Sequence, residues 1–293
     1  QNLLSFGPDA KPIPLGPLNV LIGANGSGKS NLIEAIGLIK AMAVDLSGFI
    51  SDRGGIEEWI WKQQPLKTDT VKPTFDAPHG LGKLRVVLDS GLGGSYYGTM
   101  DLRANGTGFE ISGEHFGDGK NHLYERNAAG ENLIATSVIR FNNELRVVTA
   151  IHQDQSILVQ AKDPQTFPEL AEIGQCYSAI RVYGKFQFGR DSKIRQVSEK
   201  HRKGLTLDED FSNLNAFLLR LFEDATVKAK YLEVLGALFD GIEDIEIRMV
   251  GDFFQLRLQE GANWFPASRL SDGTMRYLCL IAVLLDPTPP PLI

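Results

Sequence analysis

The octapeptide Gly23-Ala24-Asn25-Gly26-Ser27-Gly28-Lys29-Ser30 constrains this chain more than any other stretch. It fits G-x-x-x-x-G-K-[ST] at every fixed position, and its flanks are those the pattern needs. Leu18 to Ile22 is a short apolar run of the kind seen in a strand buried on both faces. From Gly28 onward Leu32, Ile33, Ile36, Ile39 and Ala43 keep helical spacing, although Gly37 weakens the pattern. Strand, glycine turn and helix in that order predict a phosphate-binding loop. Its glycines let the backbone curl with amide hydrogens pointing inward, and the helix start adds partial positive charge.

The binding residues predicted from this pattern are Gly23, Asn25, Gly26, Ser27, Gly28, Lys29 and Ser30. Lys29 would reach the β- and γ-phosphates and act in catalysis, and the Ser30 hydroxyl would ligate Mg²⁺. ATP and Mg²⁺ are therefore the expected cofactors. The expected fold class is α/β, a P-loop NTPase.

The whole chain permits this. Its 293 residues suffice for one large α/β domain with an inserted subdomain or for two small domains sharing a core, and 43% apolar with 23% charged residues is ordinary for a globular protein. The longest apolar run, Tyr277 to Leu285, is less than half of what a bilayer span needs, and no charged-then-apolar leader opens the chain. No membrane association and a cytoplasmic location are expected. Cys176 and Cys279 are far apart and without a C-x-x-C partner, which excludes a disulfide framework or thiolate zinc site and predicts two buried small hydrophobes. The net charge of −6 argues against a surface basic throughout, but leaves room for one positive stripe and hence for nucleic acid. Gln1 to Phe6 reads as the tail of a strand, with residues expected to be missing at both ends.

Four regions are expected: a P-loop core over 1–60, a β lobe over 61–150, a helical region over 151–240 and a signature region over 241–293. Between about Leu84 and Val148 short apolar stretches alternate with Gly and Asn turns, as in Leu84 to Leu88, Gly108 to Ile111 and Val138 to Phe141, which predicts an antiparallel β lobe. Later spacings predict helices over Ser212 to Phe222 and Val227 to Phe239, and paired strands at Ile245 to Val250 and Phe253 to Leu258. A last helix is predicted from Asp272 to Leu285. The prolines at 287 and 289–291 stop it, and Leu292-Ile293 opens a new apolar run.

Arg269-Leu270-Ser271-Asp272-Gly273-Thr274-Met275-Arg276 opens that helix. Ser271 is a natural N-cap and Gly273 allows close backbone approach, so the pair can form a second anion-binding helix start. Ser-Asp-Gly alone also fits an ordinary capped helix; its position downstream of a phosphate loop decides for the functional reading. The octet resembles the LSGGQ-type signature of ABC ATPases, with Asp272 where transporters usually have Gly.

Together with Asn2-Leu3-Leu4-Ser5-Phe6, Asn31-Leu32-Ile33-Glu34-Ala35-Ile36, Arg53-Gly54-Gly55, Gln155-Ser156-Ile157-Leu158 and Ser212-Asn213-Leu214, the chain resembles the RecF/SMC-like group of ABC-type P-loop ATPases, often labelled AAA family ATPases. The resemblance implies an ABC-type head with an antiparallel β lobe and a helical subdomain, and ATP-driven homodimerisation in which Ser271 and Gly273 contact the nucleotide of the other copy. It also implies roles in DNA repair or phage defence, acting on DNA or a nuclease-like effector protein. A Walker B Asp and a catalytic Glu are implied just after Ile293, so residues 1–293 alone are expected to bind ATP without efficient turnover. The spacer lacks the heptads of a long coiled coil, so a compact, RecF-like head is the better match. By analogy the catalytic Q-loop glutamine is assigned to Gln155, with Gln63 and Gln64 as rivals.

Other clusters read as structural. Glu114-His115, His122 and Glu125 could be nuclease metal ligands, but no second ligand cluster supports this and they fit polar lobe residues better. Asp208-Glu209-Asp210 complements a helix N-terminus. Trp59 and Trp61 fit a half-buried strand or lobe packing better than base stacking. Two functions remain: an ATP-hydrolysing switch that dimerises on ATP, and a non-hydrolysing ATP sensor or scaffold subunit.

Overall fold

The computed structural model describes residues 1–62, 81–89, 95–105, 108–127, 136–141, 144–148, 152–184, 186, 189, 192–196, 198–199 and 206–293. They form two compact units, Gln1–Ile180 and Arg181–Ile293.

In the first unit the phosphate loop opens helix α1 (Lys29–Ala43), which is followed by α2 (Leu46–Ser51) and α3 (Ile56–Trp59). The C-terminal half of α1 buries Leu38, Ala41 and Met42, while its start stays near the surface. Asp45 caps α2 by accepting from the Gly48 amide at 2.9 Å. Six strands, β1 (Leu81–Asp89), β2 (Ser95–Asn105), β3 (Gly108–Gly117), β4 (His122–Asn127), β5 (Thr136–Phe141) and β6 (Glu144–Val148), pair in sequence order as one antiparallel sheet. Residues two apart share a face, so Met100 and Leu102 of β2 are both buried. Helices α4 (Ile157–Gln160) and α5 (Pro168–Ala179) pack against α1. Trp59, Met100, Phe116, Tyr124, Leu158, Ile173 and Tyr177 belong to the same core.

The second unit is built on β9 (Phe253–Glu260), which pairs along its whole length with β8 (Ile242–Val250). Its other edge is shared by β7 (Ser198–Glu199) and β10 (Asn263–Pro266). Helix α6 (Leu214–Leu221) packs on β8 and β9, α7 (Ala225–Leu238) packs on β8, and α8 (Asp272–Leu284) packs on α7. Met275, Leu278, Cys279 and Ala282 of α8 repeat at helical spacing and are buried with Tyr231, Leu235, Ile245 and Leu256. The Tyr231 hydroxyl donates to the Leu278 carbonyl at 2.6 Å, inside the core. Tyr231→Phe is expected to cost about 1 kcal/mol, read as a lower urea midpoint at unchanged slope. An unshifted midpoint would show that this bond contributes nothing net.

The predicted lobe strands and the downstream helices and strands all form, within about two residues at most ends. Four expectations are corrected. Leu18 to Ile22 forms no strand, and Leu18, Val20 and Ile22 are 83%, 74% and 92% exposed. Among the described residues no strand lies beside this run to take its hydrogen bonds or cover its faces. Gln1 exchanges backbone hydrogen bonds with Lys83 of β1 at 2.7 and 2.8 Å, as a strand end would, but Asn2 to Phe6 is a tight turn: Leu3 and Phe6 bridge each other, with Asn2 and Leu4 at φ +53°. Trp59 ends a short helix and is buried. Cys176 is half-buried, whereas burial pushes the Cys279 thiol up to about 12, leaving it a small core hydrophobe.

Candidate functional site

The loop before α1 has the backbone that its glycines foretell. Gly26 and Gly28 sit at φ +81° and +87°, in the left-handed region that side chains disfavour. A Cβ at Gly28 would also lie 2.7 Å from the Ser5 hydroxyl, and one at Gly23 would lie 2.6 Å from the Ser27 hydroxyl. Lys29 Nζ donates to the carbonyls of Gly23 and Ala24, both at 2.7 Å, and to Ser27 Oγ at 3.2 Å. The loop thus positions the ammonium that belongs to the same cradle. Leu32 N is the first amide of α1 to bond back within the helix, to Gly28 O at 3.0 Å, so the amides of Lys29, Ser30 and Asn31 have no intrahelical acceptor. Ser30 and Asn25 are exposed. Free amides at a helix start, a fixed ammonium and an open serine hydroxyl fit a Mg²⁺-nucleotide, and Ser30 is the residue that would hold the ion. Mg²⁺, when bound, neutralises charge on the phosphate oxygens.

Gln155 lies in the same unit, in the segment leading into α4. That segment is held from inside the lobe. The Arg126 guanidinium donates to Gln155 O at 2.9 Å and to His152 O at 3.3 Å, and Glu114 Oε2 accepts from the Ile157 amide at 3.1 Å. Arg126 and Glu114 are themselves paired at 3.8 Å, with side chains 4% and 0% exposed. Burial pushes the Glu114 carboxyl above its ordinary range, against the opposing pull of Arg126, Ser156 and the Ile157 amide. This clamp was invisible in the sequence, because its two residues lie on different strands. Gln63 and Gln64 lie outside the described residues.

In the second unit Ser271 takes the N-cap position of α8, with Oγ accepting from the Thr274 amide at 3.0 Å. A cleft of about 500 Å³ runs beside this helix start, lined in part by Phe239, Phe265, Arg269, Ser271 and Thr274. A Cβ at Gly273 would meet only Ser271 Oγ, at an ordinary 3.6 Å. The loop before α8 is pinned by Arg195, a residue sequence reasoning missed. Its buried guanidinium donates to Ala267 O at 3.1 Å, to Leu270 O and to the Asp272 carboxylate.

The remaining clusters do not converge as sites. Glu114 faces the lobe interior, while His115 and His122 meet on the other face at 2.7 Å. Burial and His122 lower the His115 pKa, against the pull of Glu125. Asp208 and Asp210 accept from Ser212, and Glu209 from the Val182 amide. Among the described residues no cluster of His, Cys, Asp or Glu could hold a metal ion, and no helix is long and apolar enough to cross a membrane.

Residues 18–293, nearly the whole chain, match the family described as AAA domain, putative AbiEii toxin, Type IV TA system. The chain belongs to that AAA-domain family. Comparison with curated proteins returned no match. Family membership makes this a P-loop ATPase fold that uses a nucleotide, and the loop geometry at Gly23 to Ser30 agrees with it.

Proposed function

We propose that the protein is an ABC-type, RecF/SMC-like ATPase that binds Mg²⁺-ATP at Gly23 to Ser30 and dimerises on it. Ser271 and Gly273 of one copy then contact the γ-phosphate held by Lys29 of the other, giving two composite sites by two-fold symmetry. ATP hydrolysis removes the bridging phosphate, which releases the dimer and switches a partner, either DNA or an effector protein. The family description favours a toxin–antitoxin setting over genome maintenance.

One observation carries the reading: nothing inside the fold requires glycine at 273. The position lies in the first turn of α8, at ordinary φ, with room for a side chain. Glycine within a helix is worse than alanine by about 0.5–1 kcal/mol, so a glycine kept there fits close approach by an outside group. Gly273→Ala should therefore leave stability unchanged or raised by up to about 1 kcal/mol, yet abolish the ATP-dependent doubling of light-scattering mass. Ser271→Arg should keep ATP binding and lose the same doubling. Wild-type mass unmoved by ATP, or Ser271→Arg dimerising like wild type, would rule the composite site out.

A further inference from the structure

An acid beside a phosphate-binding helix start poses an electrostatic problem. Asp272 is the first residue of α8, next to the Ser271 cap, and its side chain is 68% exposed. A carboxylate there stabilises the helix dipole, but it repels any phosphate that approaches the same amides. Like charges a few ångströms apart repel, and where they are exposed to solvent, salt screens that repulsion.

The second unit contains a specific answer. Arg195 closes the 3-10 turn Lys193–Arg195 and is itself buried, so its charge is held in place rather than waved in solvent. One guanidinium nitrogen donates to the carbonyls of Ala267 and Leu270, and the other to Asp272 Oδ1. The two carbonyls belong to the 3-10 turn Ala267–Arg269 and to the residue just before the Ser271 cap. A single cation therefore fixes the path of the loop and offsets the one acid on the helix start.

We propose that Arg195 is a positioning residue for the phosphate-contacting start of α8, and that its pairing with Asp272 sets how strongly that start accepts the γ-phosphate of a second copy. This rests on the composite-site reading above. Arg195 touches no phosphate; it acts through Asp272 and the loop carbonyls. The Ser271 segment is thereby an anion acceptor whose strength is tuned by a buried charge 76 positions upstream.

Two variants test it, with self-association measured by sedimentation in Mg²⁺ and a non-hydrolysable ATP analogue, over a range of salt. Asp272→Asn keeps an oxygen for Arg195 and removes the negative charge, so it should tighten the dimer at least about threefold at low salt, with the gain fading as salt rises. A merely structural role predicts no change or a loss. Arg195→Met should weaken the dimer at least about tenfold while calorimetric affinity of the monomer for ATP stays within about twofold. Asp272→Asn added to Arg195→Met should recover part of that loss. Wild type that stays monomeric would sink the composite-site reading itself. Wild type that dimerises, with Asp272→Asn no tighter, would overturn the role of Arg195 alone; if Arg195→Met does not fold, Asp272→Asn decides.

Discussion

Lys29→Ala is expected to weaken Mg²⁺-ATP binding by about a hundredfold, with little effect on the fold. A charge-assisted hydrogen bond contributes about 1.5–3 kcal/mol, and 3 kcal/mol corresponds to roughly two powers of ten in affinity. The ammonium is fixed by Gly23 O, Ala24 O and Ser27 Oγ, all within the loop, so its loss disturbs the cradle and not the core. Half-exposed surroundings make the cost to stability small. Calorimetric titration measures the affinity and a urea melt checks the fold. Unchanged ATP affinity in a folded variant would remove Gly23 to Ser30 from the site.

Arg126→Ala should destabilise the first unit by about 3–5 kcal/mol, the usual result of leaving one partner of a buried ion pair alone. The change strips Glu114 of its cation inside the lobe, where Glu114 Oε1 has no hydrogen-bond partner, and frees the carbonyls of His152 and Gln155. The effect should depend on pH with a definite sign. Burial raises the folded Glu114 pKa above its ordinary 4.5, so this carboxyl favours the fold when protonated. Its contribution is fully present below 4.5 and is lost as pH rises through the folded value. Without Arg126 that raised value climbs further, and the variant's deficit should shrink between about pH 7 and about pH 5. Urea melts of wild type and variant at both pH values give the difference. A deficit below about 1 kcal/mol, or one that grows in acid, would show that the pair does not hold the segment. If the segment carrying Gln155 acts in ATP turnover, Arg126→Ala should also lower kcat more than ATP affinity.

Local chemistry made most of the elements legible. The phosphate loop could be read because its constraints are backbone constraints: Gly26 and Gly28 need positive φ, and the pattern that demands this is contiguous. The α8 start was equally readable, since a cap bond spans only Ser271 to Thr274. The β lobe showed through its Gly- and Asn-bounded alternation, and α7 and α8 through periodic apolar positions.

What misled was context. Leu18 to Ile22 has the composition of a buried strand, but a strand exists only where a neighbour takes its hydrogen bonds, and the described residues supply none. Trp59 alternates with Trp61 as a strand would, yet the chain is helical there because Ile56 and Trp59 both reach the core beneath α1 and α2. The sequence by itself determined the glycine turn before α1 and the serine cap of α8, since both depend on neighbours a few positions apart. Only the tertiary structure decided that Glu114 and Arg126 clamp the Gln155 segment and that Arg195 answers Asp272. Those are pairings of charges distant in sequence, and a charge's partner is set by where folding removes water, which no local pattern records.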